Sequence, residues 1–287
     1  MRALPSNFAL CGISANFATY FGKMSRQVEA LVGYLKHLCG ARSKYRIHSP
    51  FVFDFYRNVL VSGQAYSQYR VIKRIRKELE SASRFIKRKD LGACAKNFPS
   101  DQRFVRVKDV VHHSSVSGKY GEFLFRLIRH YQPSTMLELG TSLGISTIYL
   151  GLAAPESRIV TIEGCLDSAN LARENFEKAG LKNISVITGT FEEKLEPALK
   201  EIPAPDLIYF DGNHRKEPTL AYFEQCLPHI HEGTIFVLDD IHWSAGMEEA
   251  WSAIRRHPRS KVCIDIYHMG IVFFNEGLSK EEFTLRF

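Results

Sequence analysis

The residues of this chain best suited by type and spacing to do chemistry are a set of carboxylates and imidazoles, Glu138, Glu163, Asp211, His214, Asp239, Asp240 and His242. Each carboxylate lies in or just beyond a short apolar run with strand character. An ionised carboxylate only accepts hydrogen bonds, so Glu163 suits paired hydroxyl donors such as those of a ribose. Asp211, Asp239 and Asp240 close two neighbouring runs, and three carboxylates so placed repel one another unless a cation or strong donors compensate. An oxygen-only cluster suits Mg²⁺, Ca²⁺ or Mn²⁺. His214 and His242 titrate near neutrality, and either can serve as a base beside such a cluster.

The elements that must position these groups begin with Glu138–Glu163, ELGTSLGISTIYLGLAAPESRIVTIE. It reads as strand, glycine turn, helix, strand and acid, the front half of a nucleotide site. The turn has the spacing Gly140-x-x-x-Gly144 followed by Ser146, not the G-x-G-x-x-G of pyrophosphate-binding sites, which disfavours a dinucleotide and hence a dehydrogenase. Further apolar runs at 184–187, 206–210 and 234–238 complete five strands. Helical patterns lie at 120–131, 145–152, 167–179, 218–227 and 247–256. Alternating βα units argue for a parallel sheet covered on both faces. The runs 262–266 and 271–274, joined by His268-Met269-Gly270, read as a hairpin. Gly189-Thr190-Phe191 follows the third strand, where Phe191 serves either as an adenine platform or as a core aromatic.

The runs ELGTSLGIS and TIEG resemble motif I and the acidic loop of class I S-adenosylmethionine-dependent methyltransferases. The resemblance implies a Rossmann-like α/β fold: a mostly parallel seven-stranded sheet with a C-terminal antiparallel hairpin, here with an N-terminal helical extension. It also implies S-adenosylmethionine bound by Glu138, Gly140, Thr141, Ser142, Gly144, Ser146, Glu163, Gly189, Thr190, Phe191 and Asp211. Residues 115–243 are similar, more narrowly, to the catechol and caffeoyl-CoA O-methyltransferases. That likeness makes Asp211, Asp239 and Asp240 candidate ligands of a divalent ion such as Mg²⁺, and it puts His214 where those enzymes carry a catalytic lysine. Asp240 departs from it, standing where Asn is common. Asp-Asp-x-His with His242 instead resembles macrolide-sugar O-methyltransferases. The bland alternative is that Asp211 lies by the cofactor while one of the Asp239–Asp240 pair caps the next helix.

Positive charge is concentrated in the first half: residues 1–132 carry 24 Lys+Arg against 8 Asp+Glu, and residues 133–287 carry 14 against 23. A basic layer docked on an acidic catalytic domain accounts for this better than a nucleic-acid surface, because Ile72, Ile75, Leu79, Ala82 and Ile86 form an apolar stripe at helical spacing within the basic run. The expected organisation is a poorly ordered extension at 1–23, with Met24 as an alternative start, a mostly helical cap at 24–114 and the methyltransferase domain at 115–287. Residues 90–118, with His112 and His113, read as a mobile connection covering the site. The six scattered cysteines read as reduced thiols of a cytoplasmic protein, and no apolar run reaches the ~18 residues of a membrane span. The expected partner is a small-molecule acceptor with a hydroxyl group. Nucleic-acid methylation is the alternative, disfavoured because Asp211-Gly212-Asn213-His214 replaces the N/D-P-P-Y/F motif of base amino methyltransferases. A non-catalytic S-adenosylmethionine-binding protein is the other.

Overall fold

The computed structural model describes residues 32–35, 37–41, 47–88 and 103–287. The expected extension at 1–23, the start at Met24 and residues 90–102 of the expected connection lie outside the described residues. The chain divides into two units, Met1–Ala41 and Arg42–Phe287. In the first, residues 32–35 and 37–40 are helical.

The second unit begins with α1 (Pro50–Phe55), a π-helical turn at Tyr56–Leu60 and α2 (Tyr69–Glu80). A two-stranded antiparallel ribbon follows, β1 (Phe85–Arg88) with β2 (Arg103–Arg106), and then α3 (Val107–Ser114) and α4 (Gly118–Tyr131). The α/β units run β3 (Thr135–Leu139), α5 (Ile145–Ala153), β4 (Arg158–Glu163), α6 (Leu166–Ala179), β5 (Ile184–Thr188), α7 (Phe191–Glu201), β6 (Leu207–Phe210), α8 (Lys216–Cys226), β7 (Ile235–Asp239) and α9 (Ala245–Arg256). Strands β8 (Val262–Asp265), β9 (Met269–Phe273) and β10 (Glu281–Thr284) end the chain.

The sheet has the order β10-β8-β9-β7-β6-β3-β4-β5 and is parallel except for β9, which runs against both β7 and β8. This is the expected Rossmann-like architecture with its C-terminal hairpin. It has eight strands rather than seven: β10 adds to the β8 edge, with Phe283 opposite Ile264 and its ring in the core. The strands bury both faces because their residues alternate between two apolar layers. On β3, Met136 joins the layer under α4, α5 and α6, whereas Leu137 and Leu139 join the layer under α7, α8 and α9.

Two local readings give way to tertiary structure. The apolar stripe at 72–86 is not one helix: α2 ends at Glu80, and Ile86 sits in β1, buried opposite Val105. Residues 103–114 are not a loop but the ribbon strand β2 and helix α3, whose Val107, Val110 and Val111 are buried. A four-residue strand carries too little alternation to be read alone, and its pairing partner is distant in sequence. Helix α2 packs on α3, α5 and α6, so its Ile72, Ile75 and Leu79 belong to the same core as the sheet.

Candidate active site

The strand order reverses at β3, which has β4 on one side and β6 on the other, and ligands of open α/β sheets lie at the C-terminal ends of such strands. There the turn after β3 meets the chain leaving β6 at van der Waals limits. A Cβ on Gly140 would lie 2.0 Å from the carbonyl oxygen of Asp211, and the residue has φ +109°, so only glycine fits. Ser142 also takes a left-handed conformation (φ 48°), which aims its N–H at Glu163 Oε2, 2.7 Å away. Glu163 Oε1 accepts from the N–H of Cys165 at 2.8 Å. Burial pushes the Glu163 carboxyl up from the usual range, while these two N–H groups and the Arg88 guanidinium act against it. Each oxygen keeps lone-pair capacity for a ligand hydroxyl.

A cavity of about 990 Å³ opens here. Its wall includes Gly140, Ser142, Glu163, Gly189, Thr190, Phe191, Asp211, His214, Asp239 and Asp240 from the residues expected at the site. The size lies at the upper end for small-molecule sites, enough for a cofactor with an acceptor beside it. Phe191 lines the cavity, and its ring packs edge-on against Tyr222, centroids 5.4 Å apart.

Glu138, Thr141, Gly144 and Ser146 are not in the wall, contrary to expectation. Glu138 is fully buried and accepts from Ser146 Oγ (2.7 Å), Thr147 Oγ1 and Thr161 Oγ1 (2.6 Å). Thr141 Oγ1 lies 2.6 Å from Thr161 Oγ1 and continues this chain of hydroxyls. The network fixes the glycine turn to β3 and β4 from beneath instead of presenting groups to a ligand. Burial drives the Glu138 carboxyl up, with the three hydroxyls opposing it. Gly144 opens α5 with φ +79° and lies against Phe176 of α6.

The acidic cluster is built by β6 and β7. Tyr209, on β6, is completely buried, with its hydroxyl 3.3 Å from Asp211 Oδ2 and 3.1 Å from Asp239 Oδ2, so one proton serves two carboxylates. Burial, with Asp239 and Asp240 nearby, pushes Asp211 well up; burial and Asp240 push Asp239 up. Asn213 (φ 57°) and Asp240 (φ 54°) sit in the left-handed region just beyond the two strands, a strained backbone of the kind found at functional sites. Among the described residues, no lysine or arginine reaches ion-pair distance of Asp211, Asp239 or Asp240. Their cationic neighbours are imidazoles: His214 Nε2 lies 3.8 Å from Asp211 and 3.9 Å from Asp240, and His268 Nδ1 lies 3.8 Å from Asp240. The donor set fits a hard divalent cation in chemistry and charge. Asp211, Asp239 and Asp240 do not bring one oxygen each within 4.8 Å of one another in this structure. Burial lowers the pKa of His214, with Asp240 partly opposing, which favours the neutral ring that a base requires.

His242 is a correction. It does not line the cavity; its Nε2 lies 2.9 Å from Asp265 Oδ2, its Nδ1 lies 3.2 Å from Glu248 Oε1, and its ring stacks on Tyr267 at 5.3 Å. Trp251 Nε1 and the Tyr267 N–H also donate to Asp265, so His242 belongs to a buried knot holding α9 to the end of β8. Burial works against its charge, but the two carboxylates outweigh it and its pKa is raised. Its stabilisation is therefore present below the ordinary imidazole pKa and fades as pH climbs through the raised value. His242→Gln is expected to lower Tm by about 3–8 °C at pH 6, and by less at pH 9, while changing turnover less than twofold. Tenfold slower turnover with unchanged Tm would restore His242 as a base.

Arg103, His113 and Ser115 come from the 90–118 segment expected to cover the site, whereas Arg88, Tyr120, Arg215 and His268 are wall residues that sequence reasoning did not single out. The paired histidines are on α3, where His113 lines the cavity. Trp243 also lines the cavity while remaining 63% exposed.

A family model described as a methyltransferase domain matches residues 137–241. The chain is 35% identical over 130 residues to a catechol O-methyltransferase of Niastella koreensis, covering 44% of this chain and 58% of that relative. It is 32% identical over 140 residues to one of Mycobacterium tuberculosis, covering 46% and 60%. The chain thus spans about six tenths of the length of these curated relatives. In fold it is similar to an O-methyltransferase from Bacillus cereus solved in complex with SAH: TM-score 0.52, 22% identity, 78% of this chain and 97% of that one. The family match shows a methyltransferase domain at residues 137–241, and the solved structure shows that the fold is shared with an O-methyltransferase.

Proposed function

We propose that the protein transfers a methyl group from S-adenosylmethionine to a hydroxyl of a small molecule, assisted by a divalent cation. The observation that carries this reading is the single cavity that joins the Gly140–Ser142 turn and Glu163 to the cluster of Asp211, Asp239, Asp240 and His214. Glu163 would take the ribose hydroxyls, and Phe191 would lie against the adenine. The catechol O-methyltransferase relatives support an oxygen acceptor.

Methyl transfer asks mainly for alignment, because the sulfonium already carries a good leaving group. The acceptor oxygen forms a bond to the methyl carbon as the carbon–sulfur bond breaks and its electron pair returns to sulfur. The hydroxyl proton must leave, and His214 Nε2, held neutral by burial, is the base positioned to take it. A divalent cation would be held by Asp211, Asp239 and Asp240; when bound, it would lower the pKa of the acceptor hydroxyl. Tyr209 keeps its proton between Asp211 and Asp239 and fixes both carboxylates.

The test uses methyl-labelled S-adenosylmethionine with a panel of vicinal diols, phenols and sugars, with Mg²⁺ or with a chelator. Label should appear as an O-methyl product of at least one class and should fall when the metal is removed. Transfer only to RNA, DNA or amines would overturn the assignment.

A further inference from the structure

His214 is the base of the reaction proposed above, yet its contacts with the acidic cluster are too long to hold it. Its Nε2 lies 3.8 Å from Asp211 and 3.9 Å from Asp240, beyond hydrogen-bond length. The ring is then oriented by packing and by the backbone that carries it. That backbone is unusual. Asn213, immediately before it, is left-handed at φ 57°, and Gly212 lies so close to Phe191 that a Cβ there would sit 2.7 Å from the ring.

Four side chains hold this turn, and no step or cofactor contact described above uses them. Arg215 Nε donates to Asn213 Oδ1 at 2.7 Å, Asn213 Nδ2 donates to the Tyr222 hydroxyl at 2.9 Å, and that hydroxyl donates to Glu192 Oε1 at 2.6 Å. All four residues line the cavity. The bonds run in one direction because a guanidinium only donates and a carboxylate only accepts, which fixes the amide between them. Tyr222 is buried; burial first, then Glu192, raises the pKa of its phenol, so it keeps the proton it donates. Glu192 stands in the first turn of α7, where the Tyr222 hydroxyl holds its carboxyl below the usual range. The residues before and after His214 are thus joined to each other across it, and through Tyr222 to the helix that begins at Phe191.

We propose that the chain Glu192–Tyr222–Asn213–Arg215 is the positioning device for His214, holding its imidazole where the acceptor proton is released. The proposal rests on the reading that His214 is the base. These are positioning residues: the imidazole takes the proton, and the chain sets where the imidazole lies. A displacement of about 1 Å at a reacting group can cost about 10²-fold in rate.

The test joins kinetics, with an acceptor found by the label-transfer panel, to NMR on the full chain: wild type, Y222F, N213G, H214A and Y222F/H214A. Phenylalanine keeps the ring against Phe191 and removes only the hydroxyl; glycine allows the left-handed turn and removes only the amide. Y222F and N213G should each lower kcat about 10-fold or more, with KM for S-adenosylmethionine within about twofold, and either variant is decisive if the other does not fold. In the H214A background, Y222F should change the residual rate less than about twofold, because the group it positions is gone. With ring-labelled histidine, the His214 resonance, identified by its loss in H214A, should shift or broaden in Y222F and N213G while that of His242 stays in place. Undiminished kcat in either variant, the same fall in Y222F with and without His214, or an unmoved His214 resonance would overturn the device alone. Wild-type turnover in H214A would overturn the reading on which it rests.

Discussion

Glu163→Ala is expected to weaken S-adenosylhomocysteine binding by about 10²-fold or more, the effect of removing two hydrogen bonds to a charged group. The loss combines two physical roles. Glu163 would accept the ribose hydroxyls, and it already accepts the Ser142 N–H at 2.7 Å and the Cys165 N–H at 2.8 Å. Those bonds pull the glycine turn and the start of α6 to the end of β4, so alanine both removes the grip and loosens the turn. Glu163→Gln keeps one acceptor oxygen and should lose about tenfold. Folding should not suffer in proportion, because burial already disfavours the charged carboxylate, as its raised pKa shows. Calorimetry and a thermal melt on each variant separate these effects. Wild-type affinity in a folded Glu163→Ala protein would remove Glu163 from the site.

Asp239→Asn is expected to do the opposite: to slow methyl transfer by about 10²-fold or more while leaving S-adenosylhomocysteine affinity within a few-fold. Asp239 shares the Tyr209 proton with Asp211 and ends β7, three strands from β4 and Glu163 in the sheet order. The amide is close in size but supplies no charge, so the cluster's affinity for a cation falls. Raising Mg²⁺ should restore part of the rate in Asp239→Asn and none in His214→Ala, where the proton acceptor is missing. Undiminished turnover in Asp239→Asn, with wild type indifferent to chelation, would show that the carboxylates do not serve a metal.

What the chain discloses in one dimension follows from how local each feature is. The strands β3–β7 and their helices carry uninterrupted periodicity, and Glu163, Asp211, Asp239 and Asp240 end those strands, so their convergence follows from the parallel fold. Glu138 lies beside the glycine turn and so reads as a cofactor residue; only the hydroxyls of Thr147 on α5 and Thr161 on β4 reveal that it faces inward. His242 and His214 were indistinguishable by spacing. The difference is Asp265, 23 residues further on, which draws His242 into its own pair. Likewise β10 and the ribbon depend on partners far away in sequence, and Arg88 reaches the cavity through Ser114 and Cys165, contacts that no periodicity encodes.

The cavity bounded by the Gly140 turn and Glu163 should hold the cofactor. The most direct measurement is calorimetric titration of the wild-type chain with S-adenosylhomocysteine, paired with thermal unfolding. Saturable binding at one site per chain is predicted, displaced by S-adenosylmethionine, with Tm rising as ligand concentration increases. No heat of binding and no change in Tm at about 1 mM ligand, the weak end of ordinary enzyme affinities, would contradict it.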